Sequence, residues 1–144
     1  MTPSALDDTA AELRLAVFRL ARRLRGARAV DAMSDAQLGV LAALRVHGRH
    51  TLSRLAERER VTAPTMSAMI NGLAEQGYVV RIPDEEDRRR VHVEITPQGV
   101  DVVAETIRRR DQLLAGMLVE ADLDEHDLAV LREAAALLRK VAEG

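Results

Sequence analysis

The chain has 144 residues, enough for one compact domain, with 47% hydrophobic and 31% charged residues, a balance suited to a soluble protein with a core. It contains no Cys, which excludes disulfides, thiolate metal sites and thiol redox sensing, and Phe18 and Tyr78 are its only aromatic residues. The net charge of −2 argues by itself against nucleic acid, but residues 91–144 carry −5 while residues 45–90 carry +2, so the acidity lies away from the middle of the chain.

Leu13, Val17, Leu20 and Leu24 recur at helical spacing and predict a first helix over about residues 6–25. Gly26 and the small polar stretch to Met33 end it. Ser34 and Gln37 form the pattern of a capping box and open a second helix, with Leu38, Leu41, Ala42 and Leu44 inward and Gly48 as its stop. Thr51 caps a short third helix through about Arg58, with Leu52, Leu55 and Ala56 inward. Thr62 caps a fourth, with Pro64 in its first turn, where a missing N–H costs nothing, and Gly77 closing it. Two short helices joined by a tight turn make a helix-turn-helix.

Two β-rich runs follow, residues 78–82 and 91–96, and bracket the charged loop 83–90 as a hairpin. Thr96 and Pro97 start a long helix to about Val119, and a last helix covers about residues 124–142. The predicted order is ααααββαα, a mainly α architecture with helical ends.

The fourth helix has two unlike faces. Met66, Ile70 and Leu73, with Met69 at their edge, share one side and should pack on the second and third helices. The opposite side collects Pro64, Thr65, Ser67, Ala68, Asn71 and Gly72. Solvated faces ordinarily carry Lys, Glu and Arg. A small, polar, nearly uncharged face instead lets a helix enter the DNA major groove, where hydroxyls can meet phosphates or base edges and Asn can read adenine. Arg88, Arg89 and Arg90 at the hairpin tip suit a narrow minor groove or phosphate oxygens. Asp84, Glu85, Glu86 and Asp87 beside them are an objection, since carboxylates repel phosphate. The expected resolution is that Asp87 pairs with Arg81 or Arg89 while the other three face solvent. Consecutive carboxylates on a loop rarely converge on one ion, and His47, His50, His92 and His126 show no zinc spacing, so neither metal nor cofactor is expected.

From Ser34 to Gly99 the chain resembles the MarR family of bacterial transcriptional regulators. The resemblance is carried by Asp87-Arg88-Arg89 followed by Val93-Glu94-Ile95-Thr96-Pro97-Gln98-Gly99, and by Leu73-Ala74-Glu75-Gln76-Gly77-Tyr78-Val79. It implies a winged helix-turn-helix lobe over residues 34–99 and a dimerisation region from residues 1–30 and 100–144. It also implies a homodimer on double-stranded DNA, with a recognition-helix set of Thr62, Pro64, Thr65, Ser67, Ala68 and Asn71 and a wing set of Asp87, Arg88 and Arg89, which Arg90 extends. Ala68 stands where many members carry Arg, so a strong guanine contact is missing and readout leans on van der Waals contact and DNA shape.

Apolar residues on more than one face of the terminal helices agree with a twofold interface, and hence with a pseudo-palindromic operator. The family often releases DNA on binding a small anionic or aromatic effector. With so few aromatics any such pocket should be aliphatic, and the effector's identity stays open. No apolar run approaches a membrane span and no secretion signal begins the chain, so a cytoplasmic protein is expected, without a membrane partner. No Gly-rich phosphate loop, nucleophile–base pair or metal motif suggests an enzyme. The competing reading is a winged-helix protein-interaction module without DNA binding, favoured by the acidic wing residues and Ala68.

Overall fold

The structure is a computed structural model that describes residues 2–30 and 33–144, so part of the predicted stretch before Met33 lies outside the described residues. Among the described residues, helices and strands follow in the order α1 (Pro3–Arg25), α2 (Asp35–His47), β1 (His50–Thr51), α3 (Leu52–Glu59), α4 (Ala63–Glu75), β2 (Val79–Pro83), β3 (Val91–Ile95), α5 (Pro97–Glu120) and α6 (Glu125–Glu143). The helical order matches the expectation. One element was missed: β1, a two-residue strand that pairs antiparallel with β3 through His50↔Val93 and Thr51↔His92. Two residues carry no periodicity, and only the neighbouring strand makes them a strand. The sheet order is β1-β3-β2, and β2 pairs with β3 from Val79↔Ile95 to Pro83↔Val91.

The caps explain the helix starts. Ser34 Oγ accepts from Gln37 N at 3.1 Å and Gln37 Oε1 accepts from Ser34 N at 3.0 Å, the expected capping box. Thr51 and Thr62 accept from Arg54 N and Thr65 N in the same way. Helix α1 begins at Pro3, earlier than its apolar stripe implies, because Thr2 caps it and Pro3 occupies the first turn. Arg60, at a left-handed φ of 54°, turns the chain between α3 and α4.

Internal packing divides the chain into two compact units, one running to Arg110 and one from Asp111 to Gly144, with α5 contributing to both. The core lies in the first. Leu41, Leu44, Leu55, Met66, Ile70, Leu73 and Val93 are each no more than 1% exposed, joined by Met33, Val40 and Val79. Burial of one such side chain stabilises by about 1.5–3 kcal/mol, so the packed face of α4 anchors that helix firmly. In the same unit the chain after α1 is tied to α5: Ala29 N donates to the buried Thr106 hydroxyl at 3.1 Å, and Arg110 Nε donates to Ala27 O at 3.1 Å.

The Thr-x-x-Gly pattern at the start of α5 has a direct steric cause. The Thr96 hydroxyl donates to Gly77 O at 2.7 Å and accepts from Gly99 N at 3.1 Å, while Thr96 N donates to Tyr78 O at 3.0 Å. A Cβ on Gly99 would lie 2.3 Å from Tyr78 O, so only glycine lets α5 start this close to the end of α4. Gly77 itself holds a φ of +83°. These contacts fix where β2 leaves α4, and therefore where the hairpin stands.

Candidate nucleic-acid interface

Met66, Ile70 and Leu73 are all fully buried, so the opposite face of α4 is turned outward. Thr62, Pro64, Thr65, Ala68 and Asn71 are exposed along it and Ser67 is half-buried. The first turn is organised by its threonines: Thr62 Oγ1 donates to Thr65 Oγ1 at 2.9 Å. That bond leaves the Thr65 O–H to donate outward. No charged side chain of α4 precedes Glu75, so nothing long holds this face off a groove.

Of the two arginines expected as partners of Asp87, Arg89 takes that place at 3.5 Å and Arg81 does not. Arg81 Nη2 donates to Asn71 Oδ1 at 2.6 Å and reaches Ser67 O at 3.5 Å, so it is not the partner of Asp87. Arg81 shares a face of β2 with the buried Val79, two residues before it, and strand alternation turns both toward α4. That alternation was the available signal. The consequence is chemical: the Asn71 carbonyl already accepts a charge-assisted bond, which fixes its amide orientation and leaves Nδ2 as the outward donor.

The wing tip is built by its carboxylates. Asp84 Oδ1 accepts from Glu86 N at 2.9 Å and Asp87 N at 3.2 Å, and Asp84 Oδ2 lies 2.9 Å from His92 Nε2. The His92 hydrogen bond, then these backbone N–H groups, lower the Asp84 carboxyl from its ordinary 3.8 to about 2. The expectation that Asp84 merely faces solvent is therefore corrected. Asp87 accepts from Arg89 N at 3.0 Å and lies 3.5 Å from Arg89 Nε and 4.0 Å from Arg90 Nε. Glu85 and Glu86 are exposed as expected. Arg88 forms no ion pair among the described residues, and the Arg89 side chain is 94% exposed, so guanidinium charge stands at the outer end of the hairpin. A depression of about 540 Å³ separates Arg89 and Arg90 from Thr51, Ser53 and Arg54 at the start of α3. Among the described residues no group of His, Asp and Glu is placed to hold a metal ion, and no helix is long and apolar enough to cross a membrane.

A helix-turn-helix with an uncharged outward face, followed by a sheet whose hairpin ends in arginines, defines a winged-helix DNA-binding protein. Residues 33–91 match the MarR family. An HTH-type transcriptional regulator of Mycobacterium leprae is 37% identical over 134 residues, 93% of this chain and 92% of that protein. The HTH-type transcriptional repressor YetL of Bacillus subtilis is 30% identical over 104 residues, 68% of this chain and 62% of that protein. The crystal structure of a transcriptional regulator from Pseudomonas aeruginosa superposes with a TM-score of 0.83 at 32% identity, covering 99% of each chain. The chain belongs to the MarR family of DNA-binding transcriptional regulators, which are not enzymes.

Proposed function

We propose that the chain acts as a homodimeric, effector-responsive repressor on a pseudo-palindromic double-stranded operator. In this reading α4 enters the major groove through Thr62, Pro64, Thr65, Ser67, Ala68 and Asn71, and the wing enters the adjacent minor groove through Arg88 and Arg89, with Asp87 and Arg90 shaping its tip. The observation that carries it is the pairing, within one lobe, of an exposed small-residue helix face with an arginine-tipped hairpin. Residues 1–30 and 100–144 form the dimerisation region. Its support is exposed apolar surface: among the described residues α1 buries none and exposes Leu15, Val17 and Phe18, and α6 buries none and exposes Leu137 and Val141. Repression follows the repressor named among the relatives. Release by a small-molecule effector rests on the family resemblance, and a protein with this role works in the cytoplasm.

The test is footprinting and gel shift on the DNA upstream of its own gene. Two symmetric protected half-sites centred roughly 34 Å apart are expected, with affinity falling steeply as salt rises. Arg88→Ala with Arg89→Ala should lower the slope of log K against log salt by about four, two for each subunit of the dimer. Protection of one asymmetric half-site by a monomer overturns the dimer, and no shift at any salt points instead to a protein-interaction module.

A further inference from the structure

A second polar cluster lies at the end of α2, on β1 and on the outward face of α3. A depression of about 440 Å³ is lined by His47, Arg49, His50, Arg54, Arg58 and His92. It adjoins one of about 320 Å³ that shares His50, Arg54 and Arg58 and adds Glu57. Three guanidiniums and three imidazoles thus converge on one hollow. Two of the nearby acids are already engaged, Glu94 with Arg49 at 2.8 Å and Asp84 with His92 at 2.9 Å. Arg54 and Arg58 form no ion pair among the described residues. The like charges of Arg54 and Arg58, neither paired with a carboxylate, repel one another, and an anion from outside relieves that repulsion.

The histidines add a condition. The rings of His47 and His50 meet edge to face with centroids 6.3 Å apart. His50 Nδ1 lies 2.7 Å from Gly48 O, which can only accept, so Nδ1 carries the proton. His92 Nε2 faces the Asp84 carboxylate, so that nitrogen likewise donates. In each ring the second nitrogen is a bare lone pair while the imidazole is neutral, and becomes a donor only on protonation.

We propose that this hollow is a site for a tetrahedral oxyanion of the phosphate or sulfate class, held by the Arg54 and Arg58 guanidiniums and by His47, His50 and His92 in their protonated forms. The planar guanidinium fork matches two oxygens of such an anion. The charged groups facing the imidazoles are Arg49 before β1, Arg54, Glu57 and Arg58 on α3, Asp84 after β2 and Glu94 on β3. Binding to the protonated rings takes up protons, so affinity falls as pH rises. An occupied site also favours protonated His92, which strengthens its hold on Asp84 and hence on the wing turn at Glu86 and Asp87. This site lies apart from the α4 face, although it shares Arg54 with the depression beside Arg89 and Arg90, and its first test needs no DNA.

Inorganic sulfate is the probe, because its charge is the same at pH 6 and pH 8. It is titrated into the full chain at constant ionic strength against chloride, following the imidazole NMR signals. The expected result is saturable shifts of His47 and His50, with affinity weaker at pH 8 than at pH 6. Arg54→Gln and Arg58→Gln should each weaken sulfate by about tenfold or more. Both side chains are exposed, and an unchanged unfolding midpoint verifies the fold. In parallel, the salt dependence of DNA binding is compared for the wild type and Arg58→Gln. Sulfate binding with an unchanged slope assigns the site to a free anion. No sulfate binding, but a slope lowered by about two, one for each subunit of the dimer, assigns it to a DNA backbone phosphate. No sulfate binding with an unchanged slope overturns the proposal, as does sulfate binding that neither substitution weakens.

Discussion

Arg81→Ala removes a guanidinium that is tied to the recognition helix from outside it. Of its two bonds to α4, the one to Asn71 Oδ1 at 2.6 Å is short and charge-assisted, while the 3.5 Å approach to Ser67 O lies at the limit of hydrogen bonding and contributes little. Both side chains are exposed, so the substitution should change folding stability by no more than about 0.5 kcal/mol. On DNA the same bond is taken out of water, and its loss frees the Asn71 amide to turn over. A hydrogen bond to a charged group then contributes about 1.5–3 kcal/mol, which is roughly 10- to 150-fold in affinity. Fluorescence anisotropy on an operator duplex, with Asn71→Ala, Arg81→Ala and the double variant, separates the terms. A coupling of about 0.5–3 kcal/mol is expected if Arg81 acts through Asn71. Losses that add to within about 0.3 kcal/mol would refute the linkage and leave two independent contacts.

Gly99→Ala would press a Cβ to 2.3 Å from Tyr78 O and 2.7 Å from Ile95 Cγ1, so urea unfolding should show a loss at or above about 1–3 kcal/mol. Gly116→Ala, with nothing within 4 Å, should instead be neutral or gain up to about 1 kcal/mol, and equal effects at the two sites would contradict the steric argument. Asp84 is lowered from 3.8 to about 2, and Glu105 from 4.5 to about 2 by Arg108 and Arg109. A depressed carboxyl contributes stability that is full above its unfolded value and lost as pH falls through the folded one, so unfolding midpoints should drop between about pH 4 and pH 2. Asp84→Asn should flatten part of that drop and speed amide exchange at Glu86 and Asp87 at neutral pH, and an unchanged profile counts against the wing account. Phe18→Asp charges a side chain that is 61% exposed in the single chain. Light scattering should show a monomer if α1 is a subunit contact, and a retained dimer removes Phe18 from the interface.

What was legible in the sequence is what local chemistry decides. Ser34 with Gln37, Thr51 and Thr62 cap their helices as their side chains dictate, and the packed face of α4 follows from a period of 3.6 residues. What was not legible depends on partners distant in the chain. Strand β1 exists because β3 runs beside it, 43 residues on at His50↔Val93. Asp84 looked like one more repelling carboxylate, yet His92 and two backbone N–H groups make it the residue that shapes the turn. Arg81 and Arg89 looked like equal candidates to pair with Asp87, because both are near it in sequence and opposite in charge. Strand alternation, a geometric rule rather than a charge rule, sent Arg81 to α4.

That displacement bears on how the protein reads DNA. The exposed face of α4 is built for close approach, and Ala68 at its centre adds contact area but no hydrogen bond. Its own donors on that side are the Thr65 hydroxyl, the half-buried Ser67 hydroxyl and the Asn71 amide, since the Thr62 hydroxyl is spent on Thr65. A helix with so few donors discriminates bases weakly by hydrogen bonding, and each good bidentate pair it lacks forgoes about 1–3 kcal/mol of discrimination. Arg81 supplies from the sheet the positive charge that the first three turns of α4 do not carry. Because it is held to Asn71, that charge is directed by the recognition helix instead of moving freely. On the proposed DNA contact, readout at this surface is divided. Shape and methyl contacts fall to the N-terminal half of α4, and a sheet-borne guanidinium acts with Asn71 at the C-terminal half. Operator positions facing Ala68 should tolerate base changes better than those facing Asn71, and a selection of bound sites equally stringent at both would contradict this division.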